Sequence, residues 1–218
     1  MISVVIPALN AADWIGLCLV AVREADEIVV VDGGSSDGTA AIALRNGARV
    51  VQAPRGRGLQ LAAGAAAAKG DWLLFLHADT RLEPGWRQAA DRHAERQRGK
   101  AACFRFRLDA DGWRPRLIEA GVALRVRCLR LPYGDQGLLI SRRLYDGIGG
   151  YRPLALMEDV DLVRRIGGVR MERLGIAATT SADRWRRGGW LRTSVRNLIL
   201  LALYRCGISP ERLKRLYG

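Results

Sequence analysis

Histidine is almost missing from this chain: its 218 residues include two, His77 and His93. Aromatic residues make up only 6% and form no stacking run. That weighs against a single-strand nucleic-acid binder, whose affinity comes from aromatic rings under successive bases, so nucleic acid is not the expected partner. The cysteines Cys18, Cys103, Cys128 and Cys206 are scattered without a CxxC pair, which indicates neither a zinc ribbon nor a disulfide framework and suits a reducing cytosol. No apolar run approaches the roughly 20 residues that span a bilayer. The opening residues read as a strand and not as a charged-then-apolar leader, so a cytoplasmic location is expected. Positive charge, by contrast, is abundant: 35 Lys and Arg stand against 22 Asp and Glu, a formal +13. Such a surplus favours an anionic partner, whether nucleic acid, a phosphorylated small molecule or an anionic membrane face, or is simply a solvated basic surface.

The length suits a single domain, 1–218. In its first hundred residues, strand signals at 3–7, 27–31, 49–52 and 71–76 alternate with helix signals at 13–24, 38–46 and 58–69. Gly47 and Gly70 stand where helix C-caps are expected. A βαβ series of this kind predicts an α/β fold with a mainly parallel sheet flanked by helices. The alanine-rich stretch 62–68 reads as a small-residue helix packed on that sheet. After a polar helix at 84–98, the second half, 101–190, is mixed: a strand at 102–108, a basic amphipathic helix at 115–131, a short strand at 137–141 and a helix at 157–166. Helices at 191–204 and 210–217 end the chain, and His93, on the polar helix, is expected at the surface.

The chemistry concentrates at strand ends. Leu73, Leu74, Phe75 and Leu76 deliver His77, Ala78 and Asp79 to a chain reversal. Ligands of sheets covered on both faces bind beyond the carboxyl ends of their strands. Residues two apart in an extended chain project to one side, so His77 and Asp79 can converge on one ligand. A carboxylate there suits Mg²⁺ or Mn²⁺ shared with substrate phosphates; a turn-capping Asp beside a half-buried His is the plainer alternative. Earlier, Asp32, Gly33, Gly34, Ser35, Ser36, Asp37, Gly38 and Thr39 form a Gly-rich turn that opens into a helix and offers backbone amides to an anion. The absence of GxGxxG speaks against a dinucleotide fold.

Taken in order, the opening stretch through Pro7, Ala8 and Asn10, the 32–39 turn, the 76–80 strand end, Gly134, Asp135, Gln136 and Gly137, then Gly149, Gly150 and Tyr151, and Met157 to Leu162 with Glu158 and Asp159, resemble the family 2 glycosyltransferases of GT-A fold. The likeness covers nearly the whole chain. A narrower one, carried by the 76–80 and 157–160 strings, is to short bacterial family 2 transferases associated with radical-SAM and selenodomain neighbours.

The resemblance implies a nucleoside diphosphate sugar donor, UDP-sugars foremost, an acceptor the sequence does not name, and a divalent cation. Asp32 would contact the nucleoside, while Pro7, Ala8, Asn10 and Gly34 would line its pocket. Asp79 would be the last acid of the DxD motif and the metal ligand, and Asp159 the catalytic base beside Glu158. Gly134, Asp135 and Gln136 would belong to the acceptor side, and Arg184 with Trp185 would be the RW pair facing diphosphate or acceptor. Three departures stand out: Gly33 where relatives carry a second acid, His77 where DxD begins, and Ser181 where processive enzymes place Gln, which argues against polymerisation.

With the resemblance, an inverting transfer is expected, in which Asp159, of a residue type ordinarily ionised at neutral pH, takes the acceptor's proton. Arg55 and Arg57 would add positive charge over the phosphates, unless they are solvated loop residues. Glu158 and Asp161 equally suit a helix N-terminus. The segment bounded by Leu191 and Tyr204 would be a peripheral membrane contact at the inner face of the membrane, a dimer interface or core. The rivals are a non-catalytic nucleotide-sugar-binding protein and a nucleotidyltransferase, although the first twelve residues contain no Lys or Arg for a phosphate-activating signature.

Overall fold

A computed structural model describes residues 1–217. Four strands rich in Val, Ile and Leu, β1 (Ile2–Ala8), β2 (Glu27–Asp32), β3 (Arg49–Gln52) and β4 (Trp72–Phe75), lie parallel in the order β3-β2-β1-β4. Helices α1 (Ala12–Ala21), α2 (Thr39–Arg45) and α3 (Arg57–Ala67) make the crossovers. Every residue of β1 is buried, as a strand covered on both faces requires. Its side chains alternate between two cores: Val4, Ile6 and Ala8 face one, and Val5 the other.

The same sheet continues past β4 through β7 (Leu138–Ser141), β6 (Ala101–Asp109), β8 (Met171–Ser181) and β5 (Thr80–Leu82). There only β6 and β8 pair in parallel; β4 with β7, β6 with β7 and β5 with β8 are antiparallel. Helices α4 (Trp86–Arg96), α5 (Trp113–Leu129), α6 (Arg142–Gly147), α7 (Glu158–Ile166), α8 (Asp183–Gly188), α9 (Trp190–Arg205) and α10 (Pro210–Tyr217) complete the chain. The expected mainly parallel α/β sheet is present, mixed on its second half. Strands β5 and β8 are additions to the sequence reading. The first has three residues, and the second carries small side chains through Gly175, Ala177 and Ala178, so neither writes a clear apolar alternation.

Two expectations are corrected. His93 is 4% exposed. Its Nδ1 lies 2.9 Å from Glu172, its Nε2 lies 3.1 Å from the Lys100 carbonyl, and its ring meets Trp72 edge-on. The polar helix α4 buries one stripe, Trp86, Ala89, Ala90 and His93, and spacings of three and four put His93 on it. Gly70 does not cap α3, which ends at Ala67; a Cβ at Gly70 would come within 2.6 Å of Ser3 Oγ, so glycine serves a close approach to β1. Among the described residues, no helix is long and apolar enough to cross a membrane.

Candidate active site

The loops leaving β1 and β2 are clasped by their own polar side chains. Asp32 ends β2 at 2% exposure, and its carboxylate accepts from the amide and the hydroxyl of Ser35. Asn10, held at φ +49, accepts the Ser36 amide at 2.9 Å, and its own amide donates to Ser35 Oγ at 2.9 Å. Asp37 takes the amides of Ala12 at 3.1 Å and Thr39 at 2.9 Å, which ties together the starts of α1 and α2.

Sequence reasoning passed over Gln60. From α3 it reaches between β1 and β2 and donates to the carbonyls of Ala8 at 2.8 Å and Val31 at 2.9 Å. The available signal was one amide among Leu, Ala and Gly on a helix facing a sheet. Gln60 also explains Gly33: a Cβ there would lie 2.9 Å from Gln60 Nε2, so the space a second acid would take belongs to the amide that bridges the strands. Pro7 and Ala8 are buried in β1, and the Ala8 carbonyl already accepts the Gly33 amide at 2.9 Å. Gly34 is exposed at φ +88, a conformation natural to glycine.

A second cluster forms where β4 ends. The Gly134 amide donates to Asp159 Oδ2 at 2.8 Å. A Cβ on Gly134 would come 2.7 Å from His77 Nε2 and 3.4 Å from Asp159 Oδ2, so the turn Gly134–Gln136 passes directly beside imidazole and carboxylate. Burial, then the charges of Arg57 and Arg184, push His77 well below the usual histidine value and keep the ring neutral. Ala78 is buried. Asp79 Oδ1 accepts from Thr180 Oγ1 at 3.3 Å and its carbonyl from the Ser181 amide at 3.1 Å, so the end of β8 fixes the end of β4.

Asp159 sits in the first turn of α7, where its Oδ1 takes the Val160 amide at 2.7 Å. Glu158, 3% exposed, faces Arg57 at 3.5 Å; burial, with Asp159 adding, raises its pKa. Asp161 is committed to Arg165 at 2.6 Å and Arg152 at 3.4 Å. Arg55 stays exposed on the loop before α3.

Among the described residues, no group of three or more His, Cys, Asp or Glu side chains is assembled to hold a metal. The donors at the strand end are one carboxylate, Asp79, and one neutral imidazole, His77. This pair fits a Mn²⁺ or Mg²⁺ ion that completes its shell with substrate phosphates, since Mg²⁺ in particular is usually bound that way and not caged by protein.

A model described as "Glycosyl transferase family 2" matches residues 3–147. The chain belongs to that family. It is 32% identical over 198 residues to an uncharacterized protein of Mycobacterium tuberculosis, covering 86% of this chain and 61% of that protein. It is also 36% identical over 85 residues to an uncharacterized glycosyltransferase of Mycobacterium bovis, covering 38% and 39%. The chain thus spans less than two thirds of the length of these relatives. Among solved structures, glucosyl-3-phosphoglycerate synthase of M. tuberculosis with Mn²⁺, UDP-glucose and phosphoglyceric acid is similar at 26% identity and TM-score 0.63, covering 95% of this chain and 80% of that one. The same enzyme with Mg²⁺ and UDP matches at 25% identity with the same score and coverage.

In this family 2 chain the residues that follow Gly134 divide. Gln136 is buried and donates to the Phe104 carbonyl at 3.1 Å, so it holds the turn. Asp135 lines a cleft beside α5 and α9. Burial lifts its pKa to about 6, Asp159 and Asp79 push the same way, and Arg125 and Arg184 oppose. Arg184 is exposed, and its charge reaches both His77 and Asp135. Trp185 is 7% exposed, packs near Phe106 and donates its indole N–H to Ser194 Oγ at 3.2 Å, so it is a wall of the cleft.

Proposed function

We propose that the protein moves a sugar from a nucleoside diphosphate sugar, a UDP-sugar foremost, to an acceptor hydroxyl with inversion, and that residues 1–218 act as one catalytic domain. The observation that carries this reading is the meeting of His77, Gly134 and Asp159 at the end of β4, next to Asp79. The Mn²⁺ and UDP-glucose of the similar synthase support the choice of donor.

Asp159 is the base. Its carboxylate is aimed by the Gly134 and Val160 amides, and it takes the proton as the acceptor oxygen bonds to the anomeric carbon and the bond to the diphosphate breaks. Asp79, with His77 beside it, would hold a divalent ion, which supplies charge stabilisation for the departing diphosphate. Arg57 and Arg184 add fixed positive charge to the same cluster. Asp32 and Asn10, with Pro7, Ala8 and Gly34, form the nucleoside end. Because both Asp32 oxygens accept from Ser35, nucleoside binding rearranges those hydrogen bonds or adds to them.

α9 exposes Leu191, Val195, Leu198 and Ile199 beside Arg192, a face suited to lying on the cytoplasmic leaflet. Transfer and donor hydrolysis by Asp159→Asn test the reading. Full activity of that variant removes Asp159 as base, and a wild type that binds nucleotide sugars without ever turning them over favours a binding protein instead.

A further inference from the structure

Between α5 and α9 runs a groove of about 770 Å³, within the roughly 300–1,000 Å³ of small-molecule sites. Its walls are apolar: Leu117, Ile118 and Val122 from α5, Trp190 and Leu198 from α9, with Trp185 from α8. Where it meets the catalytic cluster it is lined by Asp135 and Arg125; the neighbouring Gly134 is bonded to Asp159. At this end two buried polar atoms lack a hydrogen-bond partner among the described residues, Asp135 Oδ1 and Arg125 Nη2. Neither is there by looseness of the arginine, whose Nε donates to the Leu131 carbonyl at 3.1 Å and whose guanidinium lies 3.5 Å over the Tyr133 ring.

An unpartnered acceptor and an unpartnered donor at the same end of the groove match an alcohol, since a hydroxyl donates once and also accepts. A phosphate monoester, with a second pKa of about 6, is mostly a dianion at neutral pH, offers chiefly acceptors and is repelled by the carboxylate. The surroundings suit a bilayer: Trp113, Leu117 and Leu198 are exposed, Arg114 and Arg192 line the groove, and α5's one acid, Glu119, is held by Arg116 at 2.6 Å. A basic apolar face is drawn to anionic lipid.

We propose that this groove is the acceptor site and that the acceptor is a membrane lipid with a free hydroxyl, the hydroxyl between Asp135 and Arg125 and the chain along the apolar walls. The proposal rests on the transferase reading above.

The test uses tryptophan fluorescence, because Trp113, Trp185 and Trp190 all line the groove. Monodecanoylglycerol below its micelle concentration is expected to give a saturable blue shift, glycerol none, and decyl phosphate binding at least tenfold weaker. Leu117→Arg and Leu198→Arg, at positions 65% and 58% exposed and so tolerated by the fold, are expected to weaken monodecanoylglycerol at least tenfold and leave UDP binding with Mn²⁺ unchanged. Asp135→Ala is expected to erase the preference for alcohol over phosphate. Phosphatidylglycerol vesicles carrying diacylglycerol are expected to retain the protein.

The absence of a saturable shift, decyl phosphate binding as tightly as the alcohol, or either Arg variant binding as wild type overturns the proposal. So does a dimer that Leu198→Arg splits and that ignores the probe. Monoglyceride binding without vesicle retention overturns the membrane source. Failure of UDP to bind while monodecanoylglycerol does removes the transferase reading and leaves the lipid groove standing.

Discussion

At the ends of β1 and β2, polar side chains close on one another: Asp32 on Ser35, Asn10 on Ser36, Asp37 on Thr39 and Ala12, Gln60 on Ala8 and Val31. In the mixed half, Asp135 Oδ1 and Arg125 Nη2 are buried without a partner among the described residues, and Trp113, Leu117 and Leu198 face solvent. The carboxyl ends of the parallel strands carry loops whose polar groups are already paired with one another. The mixed half keeps these two buried groups without a partner among the described residues, at a cost in stability, and they are the two that the proposed hydroxyl would pair.

The contrast breaks most visibly at Asp159. Asp159→Asn is expected to lower turnover about 100- to 10,000-fold while UDP affinity, measured by calorimetry, stays within about threefold; an equal loss in both would move Asp159 to the donor side. Asp79→Ala is expected to cost at least about 10-fold in Mn²⁺-dependent UDP binding, since a direct ligand matters no less than the outer-shell partners whose loss costs about that much, read by titrating Mn²⁺ at fixed UDP. Binding that remains as Mn²⁺-responsive as wild type would detach Asp79 from the ion.

Gln60→Ala is expected to destabilise the donor side by about 2 kcal/mol, because it leaves buried carbonyls short of donors. The cost of Gly33→Ala should shrink in that background, since the two compete for one space. Urea melts of the four proteins measure the coupling, and strict additivity would mean that Gln60 is not what excludes a side chain at 33.

The smallest effect has the opposite sign. Folding raises the Asp135 pKa to about 6 from 3.8, so its favourable contribution is whole below about pH 4 and lost as pH rises through about 6. Asp135→Asn should therefore be more stable than wild type at pH 8, by about 1–2 kcal/mol after allowing for partial solvent screening, and the gap should close near pH 4. Thermal melts across that range check it, and a variant that is less stable at pH 8 would mean that Asp135 is a structural group.

Much of the first half was legible in the residues. Continuous Val, Ile and Leu runs split by helices with apolar faces leave few topologies besides a parallel sheet, and the Gly-rich run after Asp32 marks the turn that ends β2. Gln60 was not, since one amide on a small-residue helix looks like a surface position until the helix is laid on β1 and β2. His93 was misread for the reverse reason: its helix is polar overall, and only packing against Trp72 and Glu172 turns one stripe inward. The brief β5 and the small-residue β8 carry too little apolar alternation to be seen alone, yet they fix Asp79.

Local pattern is enough to set the strands of the first half and the residue types that stand at their ends, because period and turn chemistry act over a few residues. The tertiary structure alone decided that Gly134, from a turn 57 residues beyond His77, would lie between His77 and Asp159, and that α5 and α9 would part to leave a groove ending at Asp135. Those distances depend on how the sheet's second half folds back across the first, and no window of sequence contains both sides.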